Sequence, residues 1–189
     1  MSPVHRLGTT ASVTRTVDLS ERRPSQRDTA FEDWTVDGVP LRRLVADRWG
    51  VPDLPSELTR LWPEAPRAAV AGLRALLGEG GPDFDDGRVA LLVCSVDQDI
   101  NCRALAASLV IEEDTVQWGD VGWQVDFEAF VPAPDEYGPL PTYAFDRRQY
   151  EGLLGGLLHR YQALVEATPA MPPLRRRRGW VPWARRPQP

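Results

Sequence analysis

The sequence predicts an α+β fold, an antiparallel sheet of three to four strands with helices packed on one face. Three observations carry that prediction. Apolar residues recur at helical spacing between residues 41 and 77, the period falls to two from Arg88, and a helical apolar stripe returns from Tyr150 to Val165. A helix or a sheet buries one apolar side, so helical stretches around a strand-rich centre are satisfied by packing the helices onto the sheet.

In chain order, residues 1–33 are rich in Ser, Thr and Arg without a sustained period, and read as a flexible N-terminal extension. Order is expected from Trp34, with Thr35-Val36 as a short strand before a turn at Asp37-Gly38. Pro40 suits the first turn of a helix carrying Leu41, Leu44, Val45 and Trp49, which Gly50 closes. A second short helix is expected from Ser56, with Leu58, Leu61 and Trp62 on one face. A third runs from Pro66 to Leu77, with Val70, Leu73 and Leu77 inward and Gly78 ending it.

Val89 to Cys94 reads as a short buried strand and Leu105 to Glu112 as a second, turning at Glu113-Asp114. Thr115 to Trp123 is a third, in which Gly119 and Gly122 predict a bulge or a close backbone approach. Val125, Phe127, Ala129 and Val131 alternate with polar residues as a fourth, before Pro132, Pro134, Pro139 and Pro141 impose a loop. Asp146 is a good helix N-cap, Gln149 completes a capping box, and Phe145 with Tyr150 forms a hydrophobic staple. Tyr150, Leu153, Leu154, Leu157, Leu158, Tyr161, Leu164 and Val165 then line one side of a helix to Ala167. Thr168-Pro169 ends it. The organisation expected is a single α+β domain over residues 34–170 and a flexible basic tail, rich in Arg, Trp and Pro, over residues 171–189.

Composition narrows the chemistry. The 189 residues carry 27 acidic and 22 basic side chains, a net of -5, and every basic residue is Arg. With no Lys there is no Walker-type phosphate Lys, no Schiff-base Lys and no Lys general base. Residues 1–33 balance five Arg with five acids, and residues 171–189 hold six Arg and no acid. The middle therefore carries 11 Arg against 22 acids, a net of −11. Two cysteines are too few for a secreted disulfide scaffold, and no apolar signal core occupies the first thirty residues. The longest apolar run, Val89 to Cys94, falls far short of the ~20 residues that span a bilayer. A soluble cytoplasmic protein is expected.

The stretch from Arg88 to Gln124 ends a strand at Cys94, continues through Asp99 and Cys102, and returns through Trp118, Asp120, Gly122 and Trp123. It resembles an uncharacterised family of small actinobacterial proteins. In that family's pattern a strand ends in Cys-x-x-Cys-Gly-Asp-x-Gly-Cys, and a hairpin leads to a Trp-x-Asp-x-Gly-Trp-like segment. The likeness extends to Val36-Asp37-Gly38 and to Tyr143-Ala144-Phe145-Asp146. Cys94, Asp99 and Cys102 match the motif, while Asp97 stands in place of its second Cys and Asn101 in place of a glycine. The resemblance implies no particular activity.

Four sets of residues are candidates for function. Cys94, Asp97, Asp99 and Cys102 could offer donors to a divalent metal, or the two thiols could form a disulfide with each other in a redox role, which needs Cα atoms within about 7 Å. Structural zinc sites favour short Cys-x-x-Cys pairs and His, so no cofactor is predicted, and the bland alternative is two small apolar residues flanking a polar turn. Asp97 to Asn101 also imitates the start of a calcium loop. The required Gly and Glu are replaced by Cys102 and Ser108, which excludes it. His5 falls in the extension, and His159 points away from the leucine stripe, beside Gly152, Gly155 and Gly156. Each interior Gly costs about 1 kcal/mol against Ala. Those glycines and His159 either form a groove for a partner or are carried by a strong apolar stripe. No nucleophile elbow or dinucleotide turn is present.

In the tail, Arg175, Arg176, Arg177, Arg178, Trp180, Trp183, Arg185 and Arg186 interleave cations with indoles, a composition suited to nucleic acid or a membrane surface, although the acidic body would repel both. Trp118, Asp120, Trp123 and Asp126 could line a ligand site or complete the core. The leading expectation is a non-catalytic protein that binds another macromolecule, either a protein partner or a second copy. A thiol-redox or metal role for the Cys94 loop and a polyanion role for the tail are the alternatives.

Overall fold

The computed structural model describes residues 3–18, 25–50, 57–96, 99–128, 130 and 140–167. Along these the chain runs β1 (Val4–His5), β2 (Leu7–Asp18), β3 (Ser25–Val36), β4 (Val39–Pro40), α1 (Leu41–Trp49) and α2 (Pro66–Leu76). It continues through β5 (Val89–Val93), β6 (Ala104–Ile111), β7 (Thr115–Gln124), β8 (Tyr143–Asp146) and α3 (Arg147–Ala167). The fold is α+β. One sheet has the order β1-β8-β7-β6-β5 and a second the order β2-β3-β4. Strands β5 to β8 are paired antiparallel, and β1 joins β8 in parallel.

The N-terminal region departs from the flexible extension expected for residues 1–33. β2 and β3 pair antiparallel from Leu7 opposite Val36 to Asp18 opposite Ser25. Leu7, Trp34 and Val36 enter the main core. The alternation fails to show in the sequence because threonines fill buried positions. Thr14, Thr16 and Thr29 are buried, and the Thr16 and Thr29 hydroxyls bond each other at 2.7 Å. β-branched Thr suits a pleated strand as Val does, but it is scored as polar. The Asp37-Gly38 turn forms as expected, with φ of 53° and 81°, the two positive angles of a tight hairpin turn.

Two further expectations are corrected. Residues 57–65 contain no helix. Leu58 instead exchanges main-chain hydrogen bonds with Val93 at 3.1 and 2.8 Å, and the Leu61 carbonyl accepts from the Glu32 amide at 2.9 Å. This segment braces one sheet against the other, and both of its sides are apolar for that reason. The expected strand over Val125–Val131 is also not formed in its described part. Residues 126–128 turn, Phe127 is exposed, and the place beside β7 belongs to β8. Ala129 and Val131 lie outside the described residues.

The other elements follow the sequence. Gly50, at φ 63°, closes α1. The β6–β7 pairing slips between Ala106 and Ser108, opposite the glycines. A Cβ on Gly122 would lie 2.8 Å from the Phe130 ring, so the close approach there requires Gly. α2 and α3 pack over one face of the large sheet around Trp118, which meets the rings of Phe145, Trp34 and Tyr150 at 5.0, 6.1 and 6.1 Å. The expected staple is present, with Phe145 and Tyr150 rings 5.8 Å apart, and the Asp146 carboxylate accepts from the Gln149 amide at 2.8 Å.

The other half of the capping box is diverted. The Gln149 side-chain carbonyl accepts from the Leu7 amide at 3.1 Å, and its NH₂ donates to the Leu7 carbonyl at 2.7 Å. One side-chain amide thus imitates a paired strand and ties β2 to α3. Gln149→Leu is expected to cost about 1–3 kcal/mol, the range for leaving main-chain groups without partners. Hydrogen exchange at the Leu7 amide should accelerate with it, and an unaltered rate there would refute the tie.

Candidate functional site

A strand edge is a row of main-chain donors and acceptors, and proteins ordinarily cover it. Here most edges are covered by identifiable groups. On β5, the Asp83 carboxylate accepts from the Ala90 amide at 2.8 Å and Leu58 pairs with Val93. The outer edge of β3 is taken by β4 at Thr35 and Val36 and by Leu61 at Glu32, while its outward main-chain groups at Gln26, Asp28 and Ala30 meet no partner among the described residues. β1 is only two residues long. β2 differs. Its outward groups at Leu7 are met by Gln149, and along an antiparallel strand the outward direction recurs at every second residue. The Glu32 bond to Leu61 fixes the same phase, because Glu32 faces away from Ala11 across the pair.

Thr9, Ala11, Val13, Arg15 and Val17 therefore present their amides and carbonyls away from β3. These main-chain groups meet no partner among the described residues. Ala11, Val13 and Arg15 are exposed, Val13 at 60%. No Pro, Lys or bulge interrupts the twelve residues of β2.

A second assembly lies beneath the hairpin's other face. Arg42 donates from Nε to Asp33 Oδ2 at 2.8 Å and from Nη1 to the Glu57 carbonyl at 3.3 Å, also reaches Ser12 Oγ, and lies over the Phe31 ring at 4.7 Å. Glu57 pairs with Arg103, whose guanidinium covers the Trp123 ring at 4.4 Å, and Trp123 meets Trp49 at 5.9 Å. Burial pushes the Asp33 and Glu57 carboxyls above the ordinary range, against the opposing pull of Arg42 and Arg103. Asp33 Oδ1 and Glu57 Oε2 find no hydrogen-bond partner among the described residues. Perturbed carboxyls of this kind can mark acid–base catalysis. At 1% and 2% side-chain exposure, however, neither can meet a substrate. The assembly pins β3, α1, the Glu57 segment and the start of β6 together.

The residues singled out from sequence are dispersed. Cys94 is half-buried and Cys102 exposed, and no disulfide joins them. Asp99 turns on itself, accepting from the Asn101 side chain at 3.0 Å and from its amide at 3.2 Å, bonds that hold its carboxyl below the usual range. Asp97 lies outside the described residues. No cluster of three or more His, Cys, Asp or Glu suited to a metal occurs among the described residues.

Gly152, Gly155, Gly156 and His159 form an exposed face of α3, and a Cβ on any of the three glycines meets nothing within 4 Å. Arg175, Arg176, Arg177, Arg178, Trp180, Trp183, Arg185 and Arg186 lie outside the described residues. The Trp118, Asp120, Trp123 and Asp126 set divides, with Trp118 in the core and Trp123 under Arg103.

His5 is placed in β1 instead of an extension. Its ring stands edge-on to Tyr143 at 5.5 Å, and Nδ1 lies 2.7 Å from Asp37, whose carboxyl is held low by that bond. A groove of about 300 Å³ between the end of α2 and β6 is lined by Ala75, Gly78, Pro82, Val89, Leu109 and Ile111 among others. No helix among the described residues is long and apolar enough to cross a membrane.

Comparison with protein-family models, with curated proteins and with solved structures finds no match. The β2 edge escapes sequence reasoning entirely. A signal for the strand was nevertheless present in Thr9-Thr10-Ala11-Ser12-Val13-Thr14-Arg15-Thr16-Val17, a run rich in β-branched residues without Pro.

Proposed function

We propose that this protein is a non-catalytic binder of another polypeptide, which it takes in extended form as an added strand along β2. One observation carries the reading. Among the described residues, β5 is covered by a carboxylate and a bridge and β3 is covered from Glu32 to Val36, whereas β2 leaves five successive outward positions open, the longest such run. Strand addition draws affinity from main-chain hydrogen bonds and selectivity from alternate side chains. The buried carboxylate–arginine assembly serves this role by holding the hairpin rigid against α1 and the large sheet. The protein is read as cytoplasmic, in keeping with a cysteine count too low for a secreted disulfide scaffold.

Val13→Pro is the discriminating variant, because the Val13 amide points away from β3 and its loss leaves the β2–β3 ladder intact. A display library of strand-length random peptides, selected on the wild-type protein, should yield extended binders that lose at least about tenfold in affinity on the Pro variant, as expected when main-chain pairing dominates. Peptides that bind both proteins equally, or a selection that yields none, would overturn the proposal.

A further inference from the structure

We infer that the strand taken up by the β2 edge is the β2 of a second copy of this chain, paired antiparallel about a two-fold axis at Val13. The inference rests on the edge being a strand-docking site and adds the identity of the occupant. Its first support is register. Outward-facing residues must meet outward-facing residues, and a two-fold axis at Val13 places Ala11 opposite Arg15 and Thr9 opposite Val17 of the copy. All four types of position are outward. Every hydrogen bond of the added ladder is then made, and no two like charges face each other across it.

The second support is side-chain chemistry. Val13 meets its own copy on the axis, beside exposed Ala11, and Ala30 lies directly across from Val13 on β3. The axis thus crosses an apolar patch on an otherwise polar hairpin. Arg15 already lies 3.6 Å from Asp28, so the nearest charges are balanced within each copy.

The third support is the distribution of charge. Residues 34–170 carry a net of −11, whereas residues 1–33 balance five Arg against five acids. Two acidic bodies repel, and the hairpin is the neutral surface through which copies can approach while the bodies stay apart. The dimer would carry a continuous sheet in the order β4-β3-β2-β2-β3-β4.

Sedimentation velocity from about 1 to 500 µM, where mass action exposes weak association, tests this directly. A concentration-dependent dimer is expected, accompanied by concentration-dependent hydrogen-exchange protection at Thr9, Ala11, Val13, Arg15 and Val17. Val13→Pro should leave a folded monomer. Because Pro could unsettle the hairpin, two variants that keep the backbone test the register itself. Ala11→Arg places Arg opposite Arg15 twice per dimer and should weaken association about five- to thirtyfold, while Ala11→Asp should strengthen it, as expected for two directly opposed charge pairs.

A dimer unmoved by all three substitutions, or moved alike by Arg and Asp at position 11, would overturn the inference. A protein that stays monomeric at the highest concentration also overturns it. If that monomer still binds library peptides in a manner that Val13→Pro abolishes, the strand-docking function stands and only the self-pairing falls.

Discussion

Trp118→Ala is expected to destabilise the protein by about 3–5 kcal/mol, the range for truncating a buried aromatic to Ala. Trp118 is fully buried and sits where α2, α3, β3 and β8 converge, touching Trp34, Phe145 and Tyr150. It also starts a polar relay through the core. Its Nε1 donates to the Tyr150 hydroxyl at 3.1 Å, which in turn donates to the Leu76 carbonyl near the end of α2 at 3.0 Å. Truncation leaves a cavity and removes a donor at the same time. Since folded domains retain only about 5–15 kcal/mol, one such change consumes a large share of the margin.

Urea unfolding should show the loss at unchanged slope, and the melting temperature should fall by roughly 6–20 °C. Trp118→Phe keeps most ring contacts and loses only the N–H and part of the volume, so it should fall between the two. A loss below about 1 kcal/mol for the Ala variant would place the centre of the core elsewhere.

The elements legible in sequence are those whose burial is one-sided. α3 has an apolar stripe, an N-cap and a staple, and each signal is read from residues within one turn of another. The β6–β7 hairpin is similarly local, and its glycines mark the slip in pairing. Elements that contact the protein on both sides are harder. Leu58, Leu61 and Trp62 fit helical spacing, yet the segment is an irregular run of bridge, bend and turn, because it lies between two sheets and buries residues toward each. A short apolar run does not distinguish those cases. The hairpin of β2 and β3 fails for the opposite reason, since its interior uses Thr14, Thr16 and Thr29 where a pattern search expects hydrocarbon.

The candidate sites are less legible still. Whether a strand is an edge depends on which other segments arrive beside it, and among the described residues β2 is met only at Leu7, by Gln149 from 142 residues away. Likewise Arg42 is joined to Asp33 across nine residues and to Glu57 across 15, while Glu57 meets Arg103 across 46. No spacing rule relates these positions, because the fold brings them together. The motif loop around Cys94 and Cys102 drew notice through its unusual residues, whereas Asp33 and Glu57 look ordinary until their burial is known.

Arg42→Ala is expected to cost about 3–5 kcal/mol at neutral pH, the range for removing one partner of a buried ion pair. Asp33 is left ionised at 1% exposure with neither oxygen held by a guanidinium. The loss should depend on pH in a definite direction. Burial already raises the Asp33 carboxyl above 3.8 in the folded protein, and Arg42 is the main force holding it down, so the variant raises it further. A carboxyl with a raised folded value binds its proton more tightly when folded. Its contribution to stability is fully present below the unfolded value and is lost as pH rises through the folded one. The deficit of Arg42→Ala against wild type should therefore narrow as pH is lowered from 7 toward 5 and protonation removes the buried charge.

Asp33→Asn supplies the control. In that background Arg42→Ala should cost much less, and the difference measures the coupling between the two side chains. Arg42→Lys retains a charge but not the planar fork that reaches Asp33, Ser12 and the Glu57 carbonyl together, so it should recover only part of the loss. An equal deficit at both pH values, unaltered by Asp33→Asn, would mean that Arg42 acts by stacking on Phe31 and not by compensating the buried carboxylate.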